Sequence, residues 1–411
     1  MKHRIVVLGA GYAGTYVAGN LARRLSPADT EITVVNAVPD FVERLRLHQV
    51  AAGQEIETQK LADIFAGTAI RLCLARVSAV DPERQVVAVA GADGAEELGY
   101  DTLLYALGSH GDDRSVPGVA EHAFDVAARP SALRLRERLD GLREGGKVLV
   151  VGDGLTGIET ATEIAESRPG LSVVLVARGE LGAQLSAGAR SHLRQACDRL
   201  GITVLEHTSV EAVEATWVQC ADGTALASDA TVWTAGFAVN PIAAAAGLEV
   251  TESGRIVVDR TMRSLSHPNV YAAGDSVYAI GDNGQPLPMS CATAGYTGMQ
   301  AMKGHRGTPH RQQDRTRQAG LPGQPHQPRP TGRDPANGRP RWTGKDEAHG
   351  RPQGRTDQGG HPQDVAVDQL APDLLYAQAQ APPGRPAGCV RRERSPVRAG
   401  CPRRQGGRVA A

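Results

Sequence analysis

The glycine pattern G-x-G-x-x-G occurs twice in this chain of 411 residues, at 9–14 and again at 152–157. Each copy follows a short apolar run, 4–8 or 147–151, and precedes a segment with apolar residues at helical spacing. In that context the first glycine makes the turn, the second admits a pyrophosphate and the third lets helix and strand pack closely. Phosphates bind the free N–H groups at the helix N-terminus. The sequence therefore predicts an α/β fold with two Rossmann-like dinucleotide-binding units.

The residue that follows the second strand of each unit bears on which nucleotide binds there. The apolar run 31–35 ends at Asn36, where an acidic side chain usually binds the ribose hydroxyls and an asparagine binds them more weakly. The run 171–176 lacks the acidic residue and is followed by Arg178, which suits a 2′-phosphate. NADPH is thus favoured at least as much as NADH. The alternative, given equal weight, is that Arg178 is a solvated loop charge.

Three further apolar segments end in small residues. They lie at 100–108, 230–236 and 269–274, and the carboxylate of Asp275 directly follows the last of them. A strand that ends in small residues, glycine above all, lets the chain pass close to a bound cofactor. Together with the two glycine loops, these segments make five motifs in a defined order.

The five motifs resemble the two-dinucleotide-binding flavoproteins of the pyridine nucleotide-disulfide oxidoreductase superfamily. Within it the chain is most similar to the branch of type II NADH dehydrogenases and apoptosis-inducing-factor-like NAD(P)H:quinone oxidoreductases. The resemblance covers about residues 3–302. It implies an FAD-binding domain built from 1–112 and 254–303, with an NAD(P)-binding domain, 113–253, inserted between its two parts.

The resemblance also implies which residues meet the cofactors FAD and NAD(P)H. Asp275 is placed like the aspartate that hydrogen-bonds the flavin ribityl chain, and Val77 like the residue whose backbone meets the adenine. Glu159 is placed near the nicotinamide. No metal ligand is predicted. The cofactor-binding residues predicted at the first site are Gly9, Gly11, Gly14, Asn36, Val77, Ala106, Gly274 and Asp275. Those predicted at the second site are Gly152, Gly154, Gly157, Arg178 and Gly236.

A flavin site and a nicotinamide site in one chain suggest hydride transfer between two cofactors that the protein aligns. We therefore expect an FAD-dependent NAD(P)H dehydrogenase of the non-disulfide type. Glu159 is the one catalytic candidate, as a group that positions the substrate or manages a proton. The alternative is an ordinary first-turn carboxylate that the helix dipole favours. Arg44 and His48 are candidates to face the flavin, although such residues more often cap or solvate a helix.

The electron acceptor is less constrained by the sequence. Disulfide reductases of the superfamily carry a CxxxxC motif in the segment that corresponds to 40–49, and the absence of cysteine there excludes dithiol chemistry. The resemblance implies a quinone-like acceptor. However, Ala292 and Tyr296 stand where type II enzymes carry glutamines. The electron acceptor could therefore also be another small molecule or a protein. A lone cysteine in an apolar setting is more often a small buried apolar residue than a redox group, and this is the favoured interpretation of Cys291.

The composition of the chain excludes several other classes of protein. No run approaches the roughly 20 apolar residues of a membrane span. The apolar run near the start breaks at Gly9, too early for a signal peptide. The six cysteines show no CxxC pair and no metal-ligand spacing, which argues for a reducing compartment and against a zinc site. We expect a cytoplasmic protein, with the inner membrane face as a peripheral location and an undetermined oligomeric state.

The last part of the chain, 304–411, differs in composition from the rest. It carries 19 Lys and Arg, 9 Asp and Glu, 16 Gly and 15 Pro, and it lacks Ile, Phe and Met. So little apolar side chain cannot form a core. We therefore expect a disordered tail in place of the usual C-terminal domain, produced by a frameshift near Lys303, and membrane docking becomes doubtful. A basic arm that binds nucleic acid or anionic lipid is the weaker alternative, and for nucleic acid only Trp342 and Tyr376 could stack on bases.

The sequence as a whole predicts an FAD-dependent oxidoreductase that takes a hydride from NAD(P)H and passes electrons to a quinone-like or other small acceptor. Nucleic acid is not an expected partner. The alternative function is a catalytically impaired, nucleotide-binding flavoprotein that lacks its C-terminal domain.

Overall fold

The computed structural model describes residues 1–92, 94–112 and 116–304, so the tail expected at 304–411 lies outside the described residues from position 305 onward. The strands are β1 His3–Leu8, β2 Thr30–Asn36, β3 Asp40–Phe41, β4 Gln59–Lys60, β5 Ile70–Asp81, β6 Val86–Gly91, β7 Gly94–Gly99, β8 Thr102–Tyr105, β9 Ser109–Gly111, β10 Ala123–Phe124, β11 Lys147–Val151, β12 Ser172–Val176, β13 Thr203–Leu205, β14 Val210–Val213, β15 Trp217–Cys220, β16 Ala225–Ala227, β17 Ala230–Trp233, β18 Phe237–Val239, β19 Ile256–Val257, β20 Val270–Ala272 and β21 Val277–Tyr278. The helices are α1 Tyr12–Arg24, α2 Leu47–Ala52, α3 Leu61–Ile64, α4 Val119–His122, α5 Arg129–Asp140, α6 Leu155–Ser167, α7 Ala187–Arg199, α8 Ile242–Ala245 and α9 Cys291–Gly304, with 3₁₀ helices at Arg44–Arg46 and Gly274–Ser276.

The first sheet carries the first glycine loop. Its strands lie in the order β20-β8-β1-β2-β5-β6-β7, and the strands from β20 to β5 run parallel. A parallel sheet is covered on both faces, which is why its strands read as continuous apolar runs. Strand β5 continues past β2 and turns into an antiparallel meander with β6 and β7. The sequence analysis assigned no structure to that meander.

The second sheet carries the second glycine loop. Its strands lie in the order β10-β17-β11-β12-β13 and are all parallel. Strands β14, β15 and β16 form a separate antiparallel sheet. A mixed sheet with five parallel strands and an all-parallel sheet, each with a glycine loop leading from an interior strand into a helix, make the predicted α/β fold with two Rossmann-like units.

Helix α1 begins at Tyr12, inside the first glycine loop, and α6 begins at Leu155, inside the second. The last part of each glycine loop therefore already belongs to the first turn of its helix. Helix α9 packs along α1. A Cβ added at Gly298 of α9 would lie 3.3 Å from the Val17 side chain of α1, so the glycine allows the two helices to approach closely.

Strands β9 and β18 form the crossing between the two sheets. They pair antiparallel, with Ser109 opposite Val239 and Gly111 opposite Phe237. Strand β9 follows β8 of the first sheet, and β18 follows β17 of the second. The chain thus leaves the first sheet and returns from the second through one two-stranded ribbon, called the crossing ribbon below.

Helix α2 comes from the first part of the chain but is buried against the second sheet. Leu47, Val50, Ala51 and Ala52 pack with Leu135 and Leu139 of α5, Ile164 of α6 and Val148 and Val150 of β11. We call this cluster the second core. The ion pair between Arg136 of α5 and Glu55, with N and O 2.8 Å apart, lies just past the end of α2. The domain boundaries expected at residues 112 and 253 stay predictions.

Within the ranges described, no helix is both long and apolar enough to cross a membrane.

Candidate functional site

The first glycine loop is attached to the strands on both sides of β1. The Gly9 N–H donates to the Val35 carbonyl over 2.8 Å, and the Ala106 N–H donates to the Leu8 carbonyl over 2.9 Å. Gly9 has a φ of +92°, and a Cβ there would overlap the Ala106 carbonyl. A Cβ at Gly14 would overlap the carbonyl of Gly9. Backbone conformation and packing therefore require glycine at both positions, as predicted from the sequence.

The second glycine loop repeats this construction. The Gly152 N–H donates to the Val176 carbonyl over 2.9 Å, and Gly152 has a φ of +115°. A Cβ on Gly152 would lie 2.7 Å from Oγ1 of Thr234, and one on Gly157 would overlap the Gly152 carbonyl. Thr234 therefore occupies the position that Ala106 has in the first loop. The sequence analysis did not single out Thr234, although it lies in the small-residue segment that follows β17.

Gly11 and Gly154, the middle glycines, differ from their neighbours in being open. Nothing lies within 4 Å of a Cβ added at either position. Each is the N-cap residue of its helix, so each lies beside N–H groups that have no partner inside the helix. Neither helix has an acidic residue in its first turn. An open glycine between two packed ones, at an uncompensated helix N-terminus, fits a pyrophosphate at each loop.

Asn36, at the end of β2, is engaged within the protein. Its Oδ1 accepts a hydrogen bond from the Ala10 N–H over 2.9 Å, and its Nδ2 donates to the Val38 carbonyl over 2.8 Å. The side chain thus stabilises the first glycine loop. Val77 lies on β5 opposite Val89, beyond the end of β2, and its strand pairing is with the meander. The predicted contacts of Asn36 with the ribose and of Val77 with the adenine stay predictions.

Asp275 lies in the 3₁₀ turn Gly274–Ser276, next to the first turn of α1. Gly274 has a φ of +80°, and a Cβ there would lie 3.5 Å from the Ala13 side chain. The Gly274 N–H donates to Thr297 Oγ1 of α9 over 2.9 Å. Oδ2 of Asp275 accepts a hydrogen bond from Ser109 Oγ over 2.7 Å. The turn therefore holds a carboxylate, 19 % exposed, between the first loop and the crossing ribbon.

Arg44 completes this region from the 3₁₀ helix Arg44–Arg46. Its Nη1 donates to the Ser109 carbonyl over 2.6 Å and lies 3.6 Å from Oδ2 of Asp275. Its guanidinium carbon lies 5.2 Å from the centre of the Phe237 ring. From the sequence, Arg44 was a candidate to face the flavin, with capping or solvation of a helix as the alternative, and no role was predicted for Ser109 or Phe237. The available signal was their position, each directly after a strand-ending glycine.

Glu159 is the fifth residue of α6, beyond the first turn, so the helix dipole does not account for a carboxylate there. Burial raises the pKa of Glu159 to about 7. Burial also raises the pKa of the Cys291 thiol. Two backbone hydrogen bonds to the thiol oppose this increase, and the negative charges of Glu159 and Asp275 add to it. The structure thus brings Glu159 from the second unit within electrostatic reach of residues from the first. All four cysteines among the described residues are free.

His48 lies on α2, where burial, assisted by the charge of Arg46, lowers the pKa of the imidazole to about 4. A neutral ring is therefore the form that this environment favours at neutral pH.

Arg178 and Gly236 lie at the edge of the second sheet where its strands end. Arg178 is exposed, two residues after β12, and within the described ranges it forms no ion pair. Nearby Glu180 is occupied by Arg190, with N and O 2.8 Å apart, so it does not cancel the Arg178 charge. Gly236, with a φ of +106°, lies at the start of the crossing ribbon, where its carbonyl accepts a hydrogen bond from the Asp112 N–H over 3.3 Å.

Residues 3–298 match the sequence pattern of the pyridine nucleotide-disulphide oxidoreductases. The chain belongs to this family. An NADH dehydrogenase-like protein of Mycobacterium tuberculosis is 33% identical over 314 residues, which cover 70% of this chain and 76% of that protein. A demethylphylloquinone reductase of Synechocystis is 25% identical over 309 residues, which cover 71% and 76% of the two chains.

Two solved structures share the fold. An NAD-dependent persulfide reductase from A. fulgidus gives a TM-score of 0.66 at 23% identity, covering 75% of this chain and 60% of that one. A Plasmodium falciparum NDH2 in complex with NADH gives a TM-score of 0.60 at 19% identity, covering 68% of this chain and 65% of that one. This chain therefore spans less than two thirds of either structure.

Family membership confirms the predicted superfamily and its branch of NADH dehydrogenases. It confirms the predicted class of enzyme, an FAD-dependent NAD(P)H dehydrogenase, and the predicted cofactors FAD and NAD(P)H. The fold expected for that class agrees with the two glycine loops described above.

Proposed function

We propose that FAD binds at the first glycine loop, that NAD(P)H binds at the second, and that electrons pass from the nicotinamide through the flavin to a quinone-like acceptor. The observation that carries the proposal is the pair of loops in which packing requires the outer glycines while the middle one, Gly11 or Gly154, is open. When bound, the nicotinamide supplies a hydride and the flavin accepts it. The chain's own part is to hold and align the two.

The residues proposed to hold FAD surround the first loop. The N–H groups at the start of α1 lie beside the open face of Gly11 and bind phosphate oxygens, since no side chain occupies that space. Asp275 offers carboxylate oxygens to hydroxyl groups from the turn next to α1. The full set is Gly9, Gly11, Gly14, Asn36, Val77, Ala106, Gly274 and Asp275.

The residues proposed to hold NAD(P)H surround the second loop. The start of α6 binds the pyrophosphate, and Arg178, exposed at the end of β12, meets the 2′-phosphate when NADPH binds. The full set is Gly152, Gly154, Gly157, Arg178 and Gly236.

Glu159 is proposed as the group that donates or accepts a proton beside the nicotinamide. With a pKa of about 7, this carboxyl exchanges a proton readily near neutral pH, which is where a general acid or base works best. An ordinary exposed glutamate would be ionised there and could accept a proton only weakly.

The quinone-like acceptor is supported by the relatives rather than by a motif in this chain. The Synechocystis relative is named a demethylphylloquinone reductase and a second M. tuberculosis relative a type II NADH:quinone oxidoreductase. Segment 40–49 has no cysteine for disulfide chemistry. A lipid-soluble quinone would be met at a membrane surface, which makes peripheral contact with the inner membrane face part of the proposal.

The proposal is tested on the purified full-length chain. We expect a flavin spectrum that bleaches when NADH or NADPH is added without oxygen and returns when a short-chain quinone is added. A spectrum that bleaches but returns only with a soluble dye would contradict the quinone acceptor alone. A colourless chain that takes up no added FAD would contradict the whole proposal and would favour the impaired, nucleotide-binding alternative.

A further inference from the structure

Arg44 joins three separate parts of the chain through one side chain. Its guanidinium donates to the Ser109 carbonyl of β9 over 2.6 Å, lies 3.6 Å from the Asp275 carboxylate and stacks 5.2 Å from the centre of the Phe237 ring of β18. Ser109 and Phe237 lie on the two strands of the crossing ribbon. Arg44 therefore touches both strands that connect the two sheets, as well as the turn next to the first glycine loop.

The Arg44 side chain is enclosed, with 27 % of its surface exposed. Burial lowers the pKa of the Arg44 guanidinium, and the charges of Asp275 and Asp125 oppose that shift. An arginine stays protonated in such a setting. A charged hydrogen bond and a stacked ring in a half-buried place hold a planar group in one orientation, which an ammonium group on a flexible chain cannot do.

The crossing ribbon has few other attachments to the Asp275 turn. Ser109 Oγ donates to Asp275 over 2.7 Å, and Ser276 Oγ donates to the Gly108 carbonyl over 3.1 Å. Both bonds reach β9 or its start. Among the described contacts, Arg44 connects this turn to β18, because its guanidinium lies beside Asp275 and stacks on Phe237. Strand β18 is the strand that returns from the second sheet.

We propose that Arg44 is a positioning residue that joins the crossing ribbon to the Asp275 turn and so fixes how the nicotinamide meets the flavin. The inference rests on the proposed function, because it assumes that each glycine loop holds its cofactor. A small change in the orientation of the ribbon moves everything bound to the second sheet relative to everything bound to the first. Misplacement by about 1 Å can slow a reaction about a hundredfold.

The variants for the test are R44K, R44Q and, as the matched control, R46Q. Arg46 lies in the same 3₁₀ helix, is half exposed, and contacts only Glu43 and Gln49 among the hydrogen-bond and ion-pair partners described. R44K keeps the charge beside Asp275 and is the variant expected to retain FAD and the wild-type melting temperature if R44Q does not fold.

The first readout needs no turnover. Amide hydrogen exchange in β9 and β18 of the purified protein should become at least about tenfold faster in R44K than in the wild type and in R46Q, because the anchor of the ribbon is lost. Unchanged exchange in both Arg44 variants would overturn the proposal even if the protein proved to have no dehydrogenase activity.

The second readout is the rate at which NAD(P)H reduces the flavin, measured by stopped flow with ordinary and deuterated nucleotide. We expect R44K to slow reduction about ten- to a hundredfold, with an unchanged dissociation constant for the nucleotide and an increased deuterium isotope effect. A wild-type protein that is never reduced contradicts the proposed function. A wild type that is reduced, together with an R44K variant that is reduced equally fast, contradicts the role of Arg44.

F237L distinguishes positioning through the ring from an effect of charge. If Arg44 acts on β18 through Phe237, F237L slows flavin reduction in the wild-type background and has no further effect in R44K. Effects that multiply in the double variant would show independent roles and would overturn the proposal.

Discussion

Two carboxylates near the junction of the two sheets have opposite environments. Asp275 accepts a hydrogen bond from Ser109 over 2.7 Å and lies 3.6 Å from the Arg44 guanidinium, so protein partners hold its oxygens in place. Glu159 is half-buried, and this partial burial raises its pKa to about 7. One position suits a fixed acceptor for hydroxyl groups and the other a group that gains and loses a proton.

Replacing Glu159 by glutamine should change how stability depends on pH. The folded chain holds the Glu159 proton up to about pH 7, whereas the unfolded chain releases it near the ordinary glutamate pKa. The folded state therefore binds more protons in that window, and the stability that Glu159 contributes is lost as the pH rises through it. Thermal unfolding from pH 5 to 8 should show a melting temperature that falls more in the wild type than in E159Q. Parallel curves would contradict the raised pKa.

Replacing Arg178 by alanine should act on one nucleotide only. A charge-assisted hydrogen bond to a phosphate contributes about 1.5–3 kcal/mol, so R178A should raise the KM for NADPH about ten- to a hundredfold and leave that for NADH nearly unchanged. The control is R143A, an exposed arginine before β11 and so at the opposite end of the second sheet. Equal losses with both nucleotides would mean that Arg178 does not meet the 2′-phosphate.

At the scale of elements, the packed and the open glycine of each strand–loop–helix unit can be tested as a pair. G14A should destabilise the protein by about 1–3 kcal/mol, because its methyl group would overlap the Gly9 carbonyl. G11A meets nothing within 4 Å and should leave the melting temperature of the FAD-free chain unchanged while weakening FAD binding. The pair is measured by thermal unfolding and FAD titration, and G154A and G157A should repeat the pattern for NAD(P)H. A G11A variant that binds FAD normally would contradict the assigned site.

Elements with a strong local pattern could be predicted from the sequence, and those decided by distant contacts could not. The strands and helices at both glycine loops follow from apolar runs, glycine spacing and helical periodicity. The short segment that contains α2 has no such signal, because its burial depends on α5 and α6, more than 80 residues further along the chain. Ser109 and Phe237 each follow a strand-ending glycine, which marked their position but not their contacts. Their partners Asp275 and Arg44 are remote in sequence, and no spacing rule connects them.

At the scale of the whole molecule, α2 makes the two units dependent on each other. Leu47 of α2 is 2 % exposed within the second core. L47A should therefore cost about 2–5 kcal/mol, and amide exchange in β11 should speed up even though residue 47 lies in the first part of the chain. The control is L45A, since Leu45 is 49 % exposed two residues earlier and should change stability by less than about 0.5 kcal/mol. Unaltered protection of β11 in L47A would mean that α2 does not stabilise the second unit.

The burial of α2 also bears on how such enzymes can be recombined. A designer who wished to change nucleotide preference would exchange the inserted segment between relatives as a module. The four buried residues of α2 would then face a foreign surface, because part of the module's interior is encoded in the host sequence. A working chimera has to carry α2 together with the insert. For the same reason, substitutions in this hexapeptide and in its partners on α5 and α6 are expected to be inherited as a set in natural lineages.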